Sequence, residues 1–260
     1  MNLTDKDFED LKYAKAILEN PSLAIRMLNV LGIPFSKGLM ALPEKWYGHI
    51  QKITETALHT ALDAAMVTMS DKVEKKSSEI LHKVIVAASG GAGGLFGLPA
   101  LSIELPISTT IMLRSIADIA RSEGESINDL ETKLACIEVF AFGGRSQSDD
   151  ESEVGYYAMR AALTKAISDA AKYIAEKGIA EKGAPILVRL IAMIASRFGV
   201  VVSEKLAASA IPIVGAAGGV VINTIFIDHF QGMARGHFII RRLERIYGKE
   251  CIEFEYKNIN

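Results

Sequence analysis

Two long stretches of this 260-residue chain contain no charged residue, and both contain clustered glycines. Residues 84–103 read VIVAASGGAGGLFGLPALSI, and residues 206–227 read LAASAIPIVGAAGGVVINTIFI. Each stretch has the length of a membrane-spanning helix. However, Pro99 and Pro212 interrupt helical hydrogen bonding, and glycine permits sharp turns. We therefore predict two broken, Gly-rich apolar helical hairpins, or elbows, packed against each other at the centre of the fold.

Three arrangements of these stretches remain open. They form the buried core of a soluble or peripheral protein, insert reversibly into a bilayer, or span it permanently. The third is disfavoured because proline and glycine lie inside the stretches, and no Trp/Tyr belt or Lys/Arg asymmetry flanks them. Close helix contact, in lipid or in a core, is favoured by glycines spaced four apart, here Gly90 with Gly94, Gly93 with Gly97, and Gly215 with Gly219.

Charge and cysteine content exclude several classes of protein. The 29 basic and 31 acidic residues give a formal net charge of −2, so no global basic field favours nucleic acid as a partner. Cys136 and Cys251 lie far apart without a metal-binding or disulfide spacing, which fits a reducing compartment. The first residues, MNLTDKDFEDLKYAK, lack the apolar region of a secretory signal. We therefore expect a cytoplasmic protein.

Apolar residues recur with a helical period along nearly the whole chain, which predicts an all-α fold. We expect a single multi-helix domain over residues 1–260, with an N-terminal helical extension over 1–41, a core over 42–248 and a tail over 249–260. In the tail, CIEFEYK alternates apolar and acidic residues, so it is predicted to be a short strand or an extended segment.

Helix boundaries are predicted from capping residues, proline and glycine. Pro99 and Pro106 are expected to bracket a short separate span, and Ser126, with Asp129 in the capping-box position, is expected to start the following helix. The remaining expected starts are at Thr4, Pro43 and Pro185, and the expected ends are at Gly124, Gly143 and Gly248.

No standard catalytic or cofactor motif is present. The chain lacks a G-x-S-x-G elbow, an H-E-x-x-H pair, a P-loop and a dinucleotide fingerprint. We therefore predict no catalytic residue, no cofactor and no metal site. His229, Met233 and His237 share one helical stripe, but the two histidines are too far apart along a helix to close a metal site alone. Partly buried histidines are the expected alternative.

Several polar residues lie in apolar surroundings, where an unpaired charge is costly to bury. One interpretation is a set of structural pairs, such as Glu138 with Arg114 or Arg197, and Arg114 with Asp118 one turn later. The other is a polar pocket in the helical core for an anionic or amphiphilic ligand. The candidate pocket residues are Glu104, Arg114, Asp118, Glu138, Arg197 and Asn223.

The last predicted long helix becomes basic toward its C-terminus, and two interpretations are open. Positive side chains interact favourably with the negative end of the helix dipole. Alternatively, they contact anionic lipid. The candidate lipid-contact residues are Arg241, Arg242, Arg245 and Lys249.

The order of these features resembles the EcsC protein family. The resemblance is carried by IELPISTTIMLRSIADIARSEGESINDLETKLACIEVFAFGG and by AIPIVGAAGGVVINTIFIDHFQGMARGHFIIRRLERIYG, and it covers residues 42–248. The family takes its name from a bacterial operon that also encodes an ABC exporter, and no catalytic residues carry over from it. The positions that match its pattern, as structural or pocket residues, are Arg114, Glu138, Phe142, Gly143, Pro212, Gly215 and Asn223.

We expect a non-enzymatic protein that associates peripherally with the membrane or interacts with lipid or an amphiphile. Its expected role is accessory to transport or envelope processes, at the inner face of the cell membrane. A membrane lipid or amphiphile and a membrane protein are the expected partners, and nucleic acid is not. The alternatives are a soluble partner-binding or structural module whose apolar stretches are only core, and a hydrolase-like enzyme that uses Glu104, Arg114 and Glu138.

Overall fold

The computed structural model describes residues 3–19, 45–68, 98–144, 155–178, 184–209 and 215–259, and the regular structure in these ranges is α-helical. This confirms the all-α prediction. The described helices are α1 (Asp5–Glu19), α2 (Lys45–Thr68), α3 (Leu98–Ser122), α4 (Leu130–Phe142), α5 (Tyr156–Lys177), α6 (Pro185–Ser209), α7 (Gly215–Tyr247) and α8 (Lys249–Asn258).

Helix α7 is the centre of the fold. Its 33 residues extend for about 50 Å, and it packs against α1, α3, α4, α6 and α8. Buried phenylalanines join it to α4 and α6, because the ring centroid of Phe198 lies 4.9 Å from that of Phe140 and 5.3 Å from that of Phe230. Such tilted aromatic pairs stabilise a core beyond the area that they bury.

The direction of α3 and α1 along α7 follows from side-chain contacts. The Gln231 amide donates to the Ser115 hydroxyl at 2.7 Å, and further toward the C-terminus Arg241 of α7 binds Glu125, which follows the end of α3, so α3 runs parallel to α7. Helix α1 runs antiparallel to α7, since Asp7 near its start binds Arg242 whereas Leu18 near its end contacts Gly236. Its face of Leu11, Ala14 and Leu18 is buried. The N-terminus of α3 therefore lies beside the N-terminus of α7.

Most predicted helix boundaries are confirmed. The Thr4 hydroxyl accepts the backbone N–H of Asp7 at 3.2 Å, which is an N-terminal cap. Gly124 and Gly248 have φ of 83° and 90°, a left-handed conformation that glycine adopts at little cost where a helix ends. Pro185 opens α6, where its missing N–H would have no helical partner, and Gly143 follows the last residue of α4.

Two boundary predictions are wrong. Helix α3 continues through Pro106, because the residues around it, including Leu105 and Ser108, are buried in the core and their packing offsets the lost hydrogen bond. Helix α4 begins after Asp129 and not after Ser126, since residues 126–129 form a turn in which the Asp129 N–H bonds the Ser126 carbonyl.

The tail is also helical, contrary to the predicted strand or extended segment. Helix α8 buries Ile252 and Tyr256, which lie four residues apart on one face, while Glu253 pairs with Lys257 on another. The seven-residue pattern alternates, but its apolar residues Ile252 and Tyr256 are four apart. Residues four apart also share one face of a helix, so the same pattern fits a helix.

The predicted elbows lie largely outside the described residues, because the description omits residues 69–97 and 210–214. The expected contacts of Gly90, Gly93, Gly94 and Gly97 lie outside it as well. What the structure describes is the helical parts of both stretches: α3 begins at Leu98 within the first, while α6 ends at Ser209 and α7 begins at Gly215 within the second.

Candidate functional site

The helix ends that lie within the two uncharged stretches meet at one end of the bundle. The Glu104 carboxylate of α3 accepts hydrogen bonds from Lys205 Nζ of α6, with both N–O distances at 2.9 Å. Lys205 Nζ also lies 4.6 Å from the centroid of the Phe226 ring of α7, a cation–π distance. We call residues 98–107, 204–209 and 215–226 the apolar end.

The apolar end exposes a stripe of hydrophobic side chains on α3. Pro99, Ile103 and Ile107 lie four residues apart on one face and are all exposed. Ile103 is 70% exposed and Ile107 is 51% exposed, while Leu101 and Leu105 on other faces are buried. The first half of α3 is thus apolar on its solvent side as well as on its core side.

The charges at the apolar end are few. Among its described residues, the charged types are Glu104, Glu204 and Lys205. Glu104 and Lys205 neutralise each other and are largely buried. Burial raises the pKa of Glu204 to about 7, because a carboxylate loses its hydration there. Among these described residues the charges are therefore few, and two of the three are paired with each other.

The opposite end of the bundle is dense in ion pairs. Arg242 of α7 binds Asp7 and Asp10 of α1, at 3.2 Å and 2.6 Å, and Glu123 after α3, at 2.8 Å. One guanidinium thus ties three segments together, with the geometry that arginine favours for carboxylates. We call this cluster, with Arg241, Arg245 and Glu125, the charged end.

Glu125 is the buried member of the charged end. Its carboxylate accepts from Arg241 at 2.8 Å and 3.1 Å, from Arg245, and from the Thr132 hydroxyl at 3.1 Å. Burial alone would raise the pKa of Glu125, but the hydrogen bond and charge of Arg241, together with Arg245, lower it instead. The carboxylate therefore stays ionised as a structural anchor.

Three of the four predicted lipid-contact residues are engaged in this cluster. Arg241, Arg242 and Arg245 bind carboxylates of the protein itself, whereas Lys249 is exposed at the start of α8. A contact with anionic lipid through these arginines would have to compete with pairs already formed. It stays a prediction.

A second polar cluster is buried between α4, α5 and α7. The Tyr156 hydroxyl hydrogen-bonds Nδ1 of His237 at 2.8 Å, and Nε2 of His237 lies 3.9 Å from the Glu138 carboxylate. Burial raises the pKa of Tyr156, so its hydroxyl keeps its proton. Nε2 of His237 has no hydrogen-bond partner among the described residues.

Burial dominates the protonation of this cluster. It raises the pKa of Glu138 to about 7 against the opposing effect of Arg160, and it lowers the pKa of His237, aided by the charges of Arg160 and Arg241. Both shifts favour the neutral forms. Nearby, Arg160 forms a two-pronged pair with Glu244, at 2.8 Å and 2.9 Å.

The six candidate pocket residues do not gather at one place. Glu104 and Arg114 are ten residues apart on α3, which is about 15 Å along the helix. Arg114 is exposed, and Glu138 faces His237 instead of Arg114 or Arg197. Glu104 and Arg114 are thus not adjacent, and the hydrolase-like interpretation stays a prediction.

The other candidates have local roles. The Asp118 carboxylate binds Arg121, not the expected Arg114, and Arg197 donates to the Gly144 carbonyl at 3.3 Å. Asn223 is buried on α7. His229 and His237 are fully buried, where partly buried histidines were expected, and His229 Nε2 donates to the Gly143 carbonyl at 3.0 Å.

Sequence reasoning missed one close helix contact. A Cβ on Gly236 of α7 would lie 2.7 Å from Leu18 Cγ and 3.2 Å from the Ala14 carbonyl oxygen of α1. Gly232, one turn earlier, faces Ile17. In the sequence QGMARG these two glycines are four residues apart, the same spacing that favours close helix contact in the uncharged stretches.

Two further properties bear on function. Across the described ranges, no group of three or more His, Cys, Asp or Glu side chains is placed to hold a metal ion. In the same ranges, α6 is the one helix long and apolar enough to cross a membrane, and 56% of its most apolar window is buried inside the protein. Core helices of soluble proteins meet the same criterion, so this is weak support for a span.

Comparison with known proteins adds a family. Neither a curated protein nor a solved structure gives a significant match to the chain. The model of the EcsC protein family matches residues 22–243, which is most of the chain and includes both uncharged stretches. That match begins upstream of the resemblance seen in the sequence, inside the segment predicted as an N-terminal extension. The chain belongs to the EcsC protein family.

Proposed function

We propose that this protein associates peripherally with a lipid bilayer through its apolar end. The observation that carries the proposal is the exposed stripe of Pro99, Ile103 and Ile107 at the end where the charges are few. Contiguous exposed apolar surface is uncommon on soluble monomers and marks interaction sites. A bilayer suits this stripe because the nearby Glu104–Lys205 pair is already neutralised inside the protein.

The contrast between the two ends favours binding to a membrane over nonspecific hydrophobic association. Arg242, about 33 Å along α7 from Val220, belongs to the ion-paired cluster of the charged end. The protein is therefore polarised along the axis of its longest helix. A polarised bundle places one end in the apolar phase and leaves the other in water, as peripheral membrane proteins do.

The proposed location is the cytoplasmic face of the cell membrane, with a role accessory to transport or envelope processes. Cys136 is buried and Cys251 is half-buried, and both are free thiols, which suits a reducing compartment. Helix α6 does not need to span the bilayer in this proposal, because more than half of its most apolar window is covered by other helices.

Flotation with phosphatidylcholine vesicles tests the proposal. The double variant Ile103→Ser, Ile107→Ser should bind more than tenfold more weakly than the wild type. The exposed fractions of the two side chains together correspond to about 2 to 3 kcal/mol of apolar burial. An uncharged vesicle is the suitable probe, since it isolates the apolar contribution from any headgroup attraction.

Ile246 provides the matched control. It is 52% exposed on the last turn of α7, at the charged end, so its replacement by serine carries a loss of apolar surface and helix propensity similar to that of Ile107→Ser alone. The Ile246→Ser variant should float like the wild type. Wild-type protein that stays entirely unbound, or equal weakening by all the variants, would refute docking through the apolar end.

A further inference from the structure

Arg114 continues the exposed apolar stripe of α3. Counting from Ile103, Ile107 lies four residues later and Arg114 eleven, so Arg114 is rotated by only about 20° from Ile103 around the helix. All three side chains are exposed. The stripe therefore ends in a cation on its own face.

Arg114 has no partner of opposite charge in the part of the chain that the structure describes. No ion pair or hydrogen bond occupies its guanidinium there, whereas the next charges along α3, Asp118 and Arg121, bind each other. Glu104, at the other end of the stripe, binds Lys205. Arg114 is thus the exposed cation of α3 that is available to an external anion.

The distance of Arg114 from the stripe fits the depth of a lipid phosphate. It lies about 10 Å along the helix from Ile107. A helical side chain also leans toward the N-terminus of its helix, which for α3 is the apolar end. Interfacial apolar side chains insert about 5 to 10 Å below the headgroup boundary, so inserted isoleucines bring the guanidinium near the headgroups, where arginine binds phosphate oxygens well.

We propose that Arg114 binds the phosphate of an anionic phospholipid when the apolar end docks, and so gives the protein a preference for anionic membranes. This inference rests on the proposed function, because the isoleucines must insert before Arg114 reaches the headgroups. It differs from the lipid contact expected at the charged end, where the arginines already have carboxylate partners.

Flotation with two vesicle compositions tests the inference: phosphatidylcholine alone, and phosphatidylcholine with added phosphatidylglycerol. One basic residue near an anionic surface contributes about 1 kcal/mol, so the wild type should bind the anionic vesicles about fivefold more tightly at low salt. The Arg114→Gln variant should bind both compositions equally. Its affinity for phosphatidylcholine should change little, because the choline group offsets the phosphate charge of that lipid, whereas its affinity for the anionic vesicles should fall about fivefold. Its thermal unfolding should match that of the wild type, since Arg114 is exposed.

Arg189 is the matched control. It is also exposed, and it lies near the start of α6, about 24 Å along the helix from Lys205 and so far from the apolar end. The Arg189→Gln variant changes the net charge by the same amount and should keep the fivefold preference. A preference lost equally in both variants would overturn the inference, because it would reflect net charge and not position.

The remaining outcomes separate this inference from the proposed function. Wild-type binding that is equal for both compositions, or a preference that survives in Arg114→Gln, overturns the role of Arg114 but leaves docking intact. A wild type that binds neither composition refutes both. Inorganic phosphate at matched ionic strength should leave the preference unchanged, and its loss there would show a site for free anions instead of a membrane contact.

Discussion

Replacement of Glu138 by glutamine should make the protein more stable at alkaline pH. The Glu138 carboxyl is buried in α4, and its pKa is raised from 4.5 to about 7, mainly by loss of hydration. The folded protein therefore binds the Glu138 proton more tightly than the unfolded chain does. This contribution to stability is fully present below pH 4.5 and is lost as pH rises through 7.

The size of the effect follows from the two pKa values. Between pH 5 and pH 8 the wild type should lose about 2 to 3 kcal/mol in its free energy of unfolding from this group alone, at about 1.4 kcal/mol for each unit of pKa difference. Glutamine has nearly the same shape and no ionisation, so Glu138→Gln should not show this loss. The stability difference, variant minus wild type, should rise by that amount between the two pH values.

Because the stability contribution of His237 also depends on pH, the variant must be compared with the wild type at each pH. The pKa of His237 is lowered in the fold, so its contribution is present above its unfolded value of 6.5 and is lost as pH falls. Below pH 6.5 its effect opposes that of Glu138, and the wild-type profile alone is expected to look flat. Because His237 remains in the variant, its contribution largely cancels in the difference.

Urea unfolding at pH 5 and pH 8 provides the measurement, with Glu131→Gln as the control. Glu131 is an exposed glutamate in the first turn of the same helix, and its replacement should leave the pH profile like that of the wild type. The stability difference could instead stay constant across this pH range or fall as pH rises. Either result would refute the inference that Glu138 is buried in its neutral form.

Two further predictions concern packing and the apolar end. Gly236→Ala should destabilise the protein by about 1 to 3 kcal/mol in urea unfolding, because the new Cβ would lie 2.7 Å from Leu18 Cγ of α1. Gly48→Ala is the control: no atom lies within 4 Å of its Cβ, so this replacement should stabilise α2 slightly. Lys205→Met should cost about 3 kcal/mol by leaving the Glu104 carboxylate largely buried without its partner, and adding Glu104→Gln should restore much of that stability; a double variant as unstable as the single one would contradict this.

The sequence predicts which polar residues are buried better than it predicts their partners. Glu138, His229 and His237 lie in apolar helical surroundings, and all three are buried. The partners are distant in the chain, since Glu104 and Lys205 are 101 residues apart and Arg242 and Asp7 are 235 apart. A helical period defines the face on which a residue lies, but not the helix that covers that face.

Local signals were reliable where the backbone alone decides the structure. Positive φ at Gly124 and Gly248 is a property of glycine itself, so these helix ends could be predicted without tertiary information. Pro106 shows the opposite case, because its local tendency to end a helix is overridden by the burial of its neighbours. The tail failed for a different reason: its short pattern fits two periods, and the packing of Tyr256 against Tyr157 selects the helical one.

A flat bilayer cannot contact both the apolar end and the arginines of the charged end, unless α7 lies along the membrane surface. Val220 at the apolar end and Arg242 at the charged end are about 33 Å apart on this one helix. A flat orientation would press the Asp118–Arg121 pair of α3 toward the acyl chains and would require carboxylate-bound arginines to change partners. End-on docking requires neither, because the exposed surface passes from isoleucines to Arg114 along one face of α3. In the proposed docking, the uncharged stretches would therefore contribute mainly through the end of the bundle at which their helical parts meet.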